Sequence, residues 1–218
     1  MPNTLGKATA EFFGTALLVC VVVGSGIMGS NLSDDSGVAL IINTLSTIFA
    51  LVLLIFILTP VSGAHFNPVV SLVQLVTKAQ RVSETLFYVV AQALGAISGA
   101  VLANIMFDQA AFQISTKART SVGMLIGEII ATAGLVALIG ILSKRNQGNL
   151  IPLAVAGWIG SAYFFTSSTS FANPAVTIGR IFCNTFAGIE PGSVLPFIAA
   201  QLVGAALGLL TVKVLSKN

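Results

Sequence analysis

The stretch SFANPAVTIGR, residues 170–180, and the stretch GAHFNPVVSL, residues 63–72, carry the same Asn-Pro step followed by a small apolar residue. Both steps interrupt hydrophobic sequence. Proline suits the first turn of a helix, where its missing N–H has no intrahelical partner, and asparagine is a good N-cap just before it. Each step therefore predicts a helix that starts inside an apolar region. The apolar pieces that follow, Asn67–Val76 and Asn173–Cys183, hold about ten residues each. At 1.5 Å per residue they reach about 15 Å, half the hydrocarbon core of a bilayer.

Composition points to that bilayer. Of 218 residues, 56% are hydrophobic and 8% are charged, and the mean hydropathy is +0.98. A soluble domain carries about 25% charged residues, so 10 basic and 7 acidic side chains cannot cover a globule of this size. The class is an all-α integral membrane protein. The net charge of +3 is spread along the chain with no basic run beyond Lys144-Arg145, which excludes a nucleic-acid partner. The first apolar segment is longer than a signal-peptide core and reads as a retained helix. Cys20, Cys183 and the single histidine, His65, offer no disulfide framework and no metal site.

Six segments are long enough to span: about 8–29, 37–60, 83–107, 120–143, 150–169 and 193–214. With a cytoplasmic N-terminus and both short pieces re-entrant, Lys7, Lys78, Arg81, Lys144, Arg145, Lys213 and Lys217 fall inside. Lys117, Arg119 and Arg180 fall outside. Seven against three agrees with the positive-inside rule, and both termini are then cytoplasmic.

The halves repeat each other. Glu11 in AEFFGTALL matches Glu128 in GEIIATAGL 117 residues later, Asn67 matches Asn173 106 later, and Gln92 matches Gln201 109 later. Each unit, about 1–115 and 116–218 of a single channel domain, holds three spans. An odd number of spans inverts the second copy about an axis in the membrane plane. The two half-helices then meet at the midplane with their positive dipole ends facing each other. The residues before them, Gly63–Phe66 and Ser170–Ala172, are expected to be extended. Non-helical backbone at that depth is tolerated where protein buries it or water reaches it, so the carbonyls of Gly63, Ala64, His65, Phe171 and Ala172 are expected to line a pore. Asn67, Pro68, Val69, Asn173, Pro174 and Ala175 would form its central constriction, with the two Asn amides as donors.

Glu11 and Glu128 are carboxylates inside spans. Their symmetric placing favours support of the re-entrant loops over a proton relay. Gln92 and Gln201 read as similar supports or as packing between helices. Glycines at 95, 99, 204 and 208 have the small-xxx-small spacing of close-packed membrane helices. Asn43 reads as an interhelical hydrogen bond or a pore position.

These residues resemble the major intrinsic protein family, the aquaporins and aquaglyceroporins. The match runs through Glu11, SGAHFNPVV, Gln92, Glu128, FANPAV and Gln201. The resemblance implies six transmembrane helices plus two re-entrant half-helices and passive conduction of water or small neutral solutes. It also implies a homotetramer in the lipid of the inner or plasma membrane, and no cofactor. Two departures stand out. The first motif reads Asn-Pro-Val, and the Arg that usually stands three residues after the second Asn is Val176. Family spacing puts the rest of the outer constriction at Thr47, Ser161 and Ser170, with Ile48 and Gly160 one residue away. Thr, Ser, Ser and Val, with no aromatic, His or Arg, imply a wide opening, with Arg180 a turn too far to replace the missing side chain. Cation and proton exclusion would then rest on the two half-helix dipoles. The set is most similar to bacterial aquaglyceroporins linked to arsenic resistance, which implies polyols such as glycerol and neutral arsenite as cargo. A water-selective pore and an ion-coupled transporter are the alternatives. The latter lacks coordinating groups near the midplane beyond the two glutamates, and no catalytic set is present for an enzyme.

Overall fold

A computed structural model describes residues 3–216; Lys217 lies outside them. Eight α-helices follow in order: α1 Thr4–Leu32, α2 Ser36–Ser62, α3 Pro68–Val76, α4 Val82–Met106, α5 Val122–Lys144, α6 Ile151–Phe165, α7 Pro174–Gly179 and α8 Pro191–Leu215. Single 3-10 turns at Gly148–Leu150 and Arg180–Phe182 precede α6 and extend α7. Among the described residues, six of these segments are long and apolar enough to cross a membrane. α3 and α7, at nine and six residues, are not.

Both short helices start as their sequences dictate. The Asn67 side chain accepts from the Val69 N–H at 3.0 Å, and Asn173 accepts from Ala175 at 3.0 Å and Val176 at 3.3 Å. A proline follows each cap in the first turn. α2 ends at Gly63, whose φ of 89° is a left-handed stop that glycine adopts without steric cost. α6 ends at Phe165, four residues before the expected span limit, because Thr166–Thr169 turn to feed the loop before α7.

Packing repeats between halves. α1 lies against α4, and α5 lies against α8. Gly95 and Gly99 of α4 face the carbonyls of Phe12 and Ala16, while Gly204 and Gly208 of α8 face those of Ile129 and Ala133. No side chain fits there: a Cβ at Gly208 would lie 2.6 Å from the Ala133 carbonyl oxygen. Helices without a hydrophobic drive between them gain by this backbone approach. Asn43 of α2 donates to the Val22 carbonyl at 2.7 Å and to Ser25 Oγ at 2.9 Å, joining α2 to α1. Outward faces carry large apolar side chains such as Phe13, Phe49, Phe56, Leu86, Leu195 and Leu210, a surface suited to lipid.

Overpacking a closed helix contact costs about 1–3 kcal/mol. Gly208→Leu should therefore lower the melting temperature of the detergent-solubilised protein by several degrees. Gly157→Leu, at a glycine with open space around it, should leave it unchanged.

Candidate functional site

The two loops that precede α3 and α7 enter the interior of the bundle, so their backbone N–H groups need internal acceptors. Buried carboxylates supply them. Glu11 of α1 accepts from the N–H groups of His65 at 2.9 Å and Phe66 at 2.6 Å, and from Ser62 Oγ at 2.6 Å. Glu128 of α5 accepts from Phe171 and Ala172, both at 2.8 Å. Gln92 of α4 and Gln201 of α8 brace the two carboxylates at 2.8 and 2.7 Å. Each glutamine also donates, at 3.0 Å, to the hydroxyl four residues after the neighbouring Asn, Ser71 or Thr177.

The loops are not simply extended. Alternate residues take left-handed backbone, Ala64 (φ 51°) and Phe66 (φ 47°) in one, Ser170 (φ 49°) and Ala172 (φ 48°) in the other. Non-glycine residues in that region cost about 1–3 kcal/mol each and persist where the surroundings over-determine them. Here the glutamate bonds do so, helped by Ser62 and Ser168, whose hydroxyls accept from Ala64 and Ser170 at 3.1 Å. The Asn side chains then tie the halves together. Asn67 Nδ2 donates to the Ala172 carbonyl and Asn173 Nδ2 to the Phe66 carbonyl, both at 2.8 Å. That uses one amide hydrogen of each and leaves the other for a guest.

A cavity of about 300 Å³ runs past this junction. Its helical walls present one residue per turn: Thr47, Leu51, Ile55 and Thr59 from α2, and Ile151, Val155, Ile159 and Tyr163 from α6. Leu18 and Val22 of α1 and Leu135 and Ile139 of α5 complete an apolar side. Facing them are Gly63–Asn67 and Ser170–Asn173 from the loops. One end is marked by Gln74, Ser143 and His65, whose Nδ1 lies 2.9 Å from Ser71 Oγ. The other is marked by Thr47, Tyr163, Ser170, Val176 and Arg180.

The comparisons with known proteins meet this geometry. A family model described as major intrinsic protein matches residues 1–170. The chain is 46% identical over 203 residues to aquaglyceroporin AqpS of Rhizobium meliloti, covering 93% of this chain and 87% of that protein. It is 30% identical over 220 residues to aquaporin Z of Brucella melitensis, covering 94% and 95%.

The chain belongs to the major intrinsic protein family.

The aquaglyceroporin of Plasmodium falciparum, a solved structure, shares the fold at a TM-score of 0.72 over 99% of this chain and 96% of that one, with 18% identity. As a major intrinsic protein, the chain is a multi-pass membrane protein and a passive channel for water and small solutes, not an enzyme.

The structure corrects several expectations for this channel. Ser161 is exposed on the outer face of α6, its hydroxyl turned back to the Gly157 carbonyl at 2.9 Å. Gly160 packs against Ile48 and Thr44 of α2, so neither counted position reaches the cavity. Tyr163 does, two residues on and about 200° around the helix. An aromatic therefore stands at this end, with its hydroxyl 3.3 Å from Thr47 Oγ1. Val69 points away from the cavity, into a cluster with Val136 and Ala205, which absorbs its two extra methyls. Pro68, Pro174 and Ala175 are buried but do not line the cavity; they shape the junction from behind. Arg180 is the largest correction. Its guanidinium lies in the cavity lining over the Phe171 ring, 3.4 Å from the centroid, so this end holds an arginine after all.

Two more cations stand near it, on the 107–121 connection. Arg119 is buried, with Nε donating to the Gly188 carbonyl at 2.9 Å and Nη1 to that of Ser168 at 3.2 Å. Lys117 Nζ donates to the Phe186 carbonyl at 2.8 Å. Burial pushes Arg119 down to about 10, and burial with the charges of Arg119 and Arg180 pushes Lys117 down to about 8. Tyr163 and Arg180 were missed by counting along the sequence. No sequence signal finds Tyr163, because α6 is apolar nearly all round. For Arg180 the signal is a lone charge amid apolar residues.

Charge-assisted hydrogen bonds of this kind contribute about 1.5–3 kcal/mol each. Glu128→Gln places an amide donor against loop N–H donors. It should lower the melting temperature markedly and cut solute flux in proteoliposomes by at least about tenfold. Glu11→Gln should do the same, as the equivalent support of the other loop.

Proposed function

We propose that this channel conducts small uncharged solutes, glycerol-like polyols and neutral metalloid hydroxides such as arsenous acid, together with water. The observation that carries this reading is Val176 in the cavity lining, at the end where Thr47 and Ser170 also line it. Val176 is short and apolar, and the hydroxyl residues beside it are small. Pore diameter and lining hydrogen-bond groups set selectivity. An opening whose small side chains are Thr47, Ser170 and Val176, beside Tyr163, admits a solute with three hydroxyls, and the name of the R. meliloti relative, an aquaglyceroporin, agrees.

In this reading Thr47, Tyr163, Ser170 and Val176 form the selectivity filter. The carbonyls of Gly63, Ala64, His65, Phe171 and Ala172 accept from solute hydroxyls, and the spare Asn67 and Asn173 amide hydrogens donate to solute oxygens at the centre. The apolar side, from Leu18 to Ile159, holds the carbon face of a polyol. One flank polar and one apolar suits a molecule whose hydroxyls lie on one edge. The chain is read as two inverted repeats meeting at the Asn pair. The assembly is a homotetramer in the cell membrane with both termini cytoplasmic, which agrees with the basic residues at 7, 78, 81, 144, 145 and 213.

The bulk of Tyr163 favours a second reading, a pore that passes water alone. Stopped-flow light scattering on proteoliposomes separates them. Wild type is expected to pass water, glycerol and arsenite. Val176→Arg should reduce glycerol and arsenite permeability at least about tenfold and leave water within about threefold. Wild-type vesicles permeable to water but not to glycerol or arsenite would replace the first reading with the second.

A further inference from the structure

Two positions on each half-helix face the cavity. Val70 and Val176, three residues after their Asn, both line it, and so do Gln74 and Arg180, seven residues after. The inner turn is apolar in both halves. The next turn is polar in both, neutral at one end of the pore and charged at the other.

Arg180 is buried, at 2% exposure, and among the described residues no carboxylate lies within ion-pair distance of it; the one ion pair found there is Lys7–Glu84. Its Nε donates to the Ala187 carbonyl, and its guanidinium stacks on Phe171. The two Nη groups have no protein partner among the described residues. They are not sealed in either, since neither is among the buried side-chain atoms lacking one, and the residue lines the cavity. Arg119, 4.9 Å from the same ring, is committed to the carbonyls of Gly188, Ser168 and Phe186. Arg119 thus holds the mouth in shape, while Arg180 keeps free donors and an uncancelled charge toward the pore. Burying a cation without a counterion is costly, and a nearby carboxylate would remove both the cost and the positive potential.

We propose that Arg180 is a specificity-determining residue of this pore: its guanidinium, delivered from one turn beyond Val176, supplies the fixed positive charge that bars cations. Its Nη groups offer donors to the oxygens of passing neutral solutes. This rests on the reading of the pore as a neutral-solute channel. At an effective dielectric constant of about 20, a fixed unit charge disfavours a monovalent cation about 5 Å away from it on the order of 100-fold.

The test measures sodium uptake and glycerol permeability in the same proteoliposomes. Arg180→Gln should raise sodium flux at least about tenfold, allowing for the half-helix dipoles and the charges of Arg119 and Lys117 that remain, with glycerol flux within about threefold. Arg180→Lys should stay closed to sodium. A purely structural Arg180 predicts no such split. Glycerol-permeable R180Q vesicles no leakier to sodium than wild type overturn the inference, as does R180K leaking like R180Q. Should R180Q conduct nothing, Arg180→Met decides in its place: it should raise sodium flux at least about tenfold with glycerol flux retained, and glycerol-permeable R180M vesicles no leakier to sodium than wild type overturn the proposal. Arg119 and Lys117 carry charge near the position and are unchanged in every variant. Wild type impermeable to every neutral solute would overturn the proposed function instead, a result distinct from any of these.

Discussion

Backbone N–H groups inside a bilayer must find acceptors within the protein, and the structure depends on how two loops meet that demand. An unsatisfied group there costs several kcal/mol. One buried carboxylate per half removes the deficit. Glu11 takes four hydrogen bonds, from Ser62, His65, Phe66 and Gln92, and Glu128 takes three, from Phe171, Ala172 and Gln201. The charge is itself expensive to bury, and the density of donors around it offsets that cost. The glutamates fix the loops in left-handed steps, and the loops set the height of Asn67 and Asn173. The Asn side chains then lock each loop to the other. A proton relay would need an open donor chain from these carboxylates, whereas their oxygens are occupied by structural donors.

Residues 106 apart occupy equivalent places, so the differences between them mark where the halves have been put to different use. Ala64 and Ser170, Phe66 and Ala172, and Ser71 and Thr177 keep the same backbone or bonding role. His65 against Phe171 and Gln74 against Arg180 do not. At one end the loop carries a histidine that can exchange hydrogen bonds with Ser71. At the other it carries a phenyl ring, and a guanidinium lies flat upon it. The loop aromatic at 171 and the charge at 180 therefore belong together: the ring gives a buried cation a polarisable face at up to about 2 kcal/mol when desolvated, without neutralising it.

Much of this was legible in the sequence wherever a requirement is chemical and independent of register. Asn-Pro within apolar sequence requires a helix start, and a carboxylate in a span requires donors. Small residues four apart require a close neighbour. The α6 side of the filter was not legible, for a physical reason. IPLAVAGWIGSAYFF is apolar all round, so no face announces itself. Position then hung on counting back from Asn173, across a loop whose turn at Thr166–Thr169 sets the offset. A two-residue error on a helix is a change of face, which is why Ser161 meets the outside and Tyr163 the cavity. Arg180 was misjudged on backbone position alone. Its Cα is a turn beyond Val176, but a long side chain folds back along the wall as far as its stacking partner.

That displacement separates two properties that one arginine at the constriction would join. Exclusion by size acts at van der Waals contact and disappears once a side chain is withdrawn by a few ångströms. Exclusion by charge falls only as the inverse of distance in a low-dielectric wall. Moving the cation four residues along the helix shifts its attachment by about 6 Å, while the side chain folds back to stack on Phe171. The potential at the opening is weakened but not abolished, and among the described residues no carboxylate within ion-pair distance of Arg180 cancels it. Val176 and Arg180 together thus describe a pore that is permissive toward the size of a neutral solute and restrictive toward the sign of an ion.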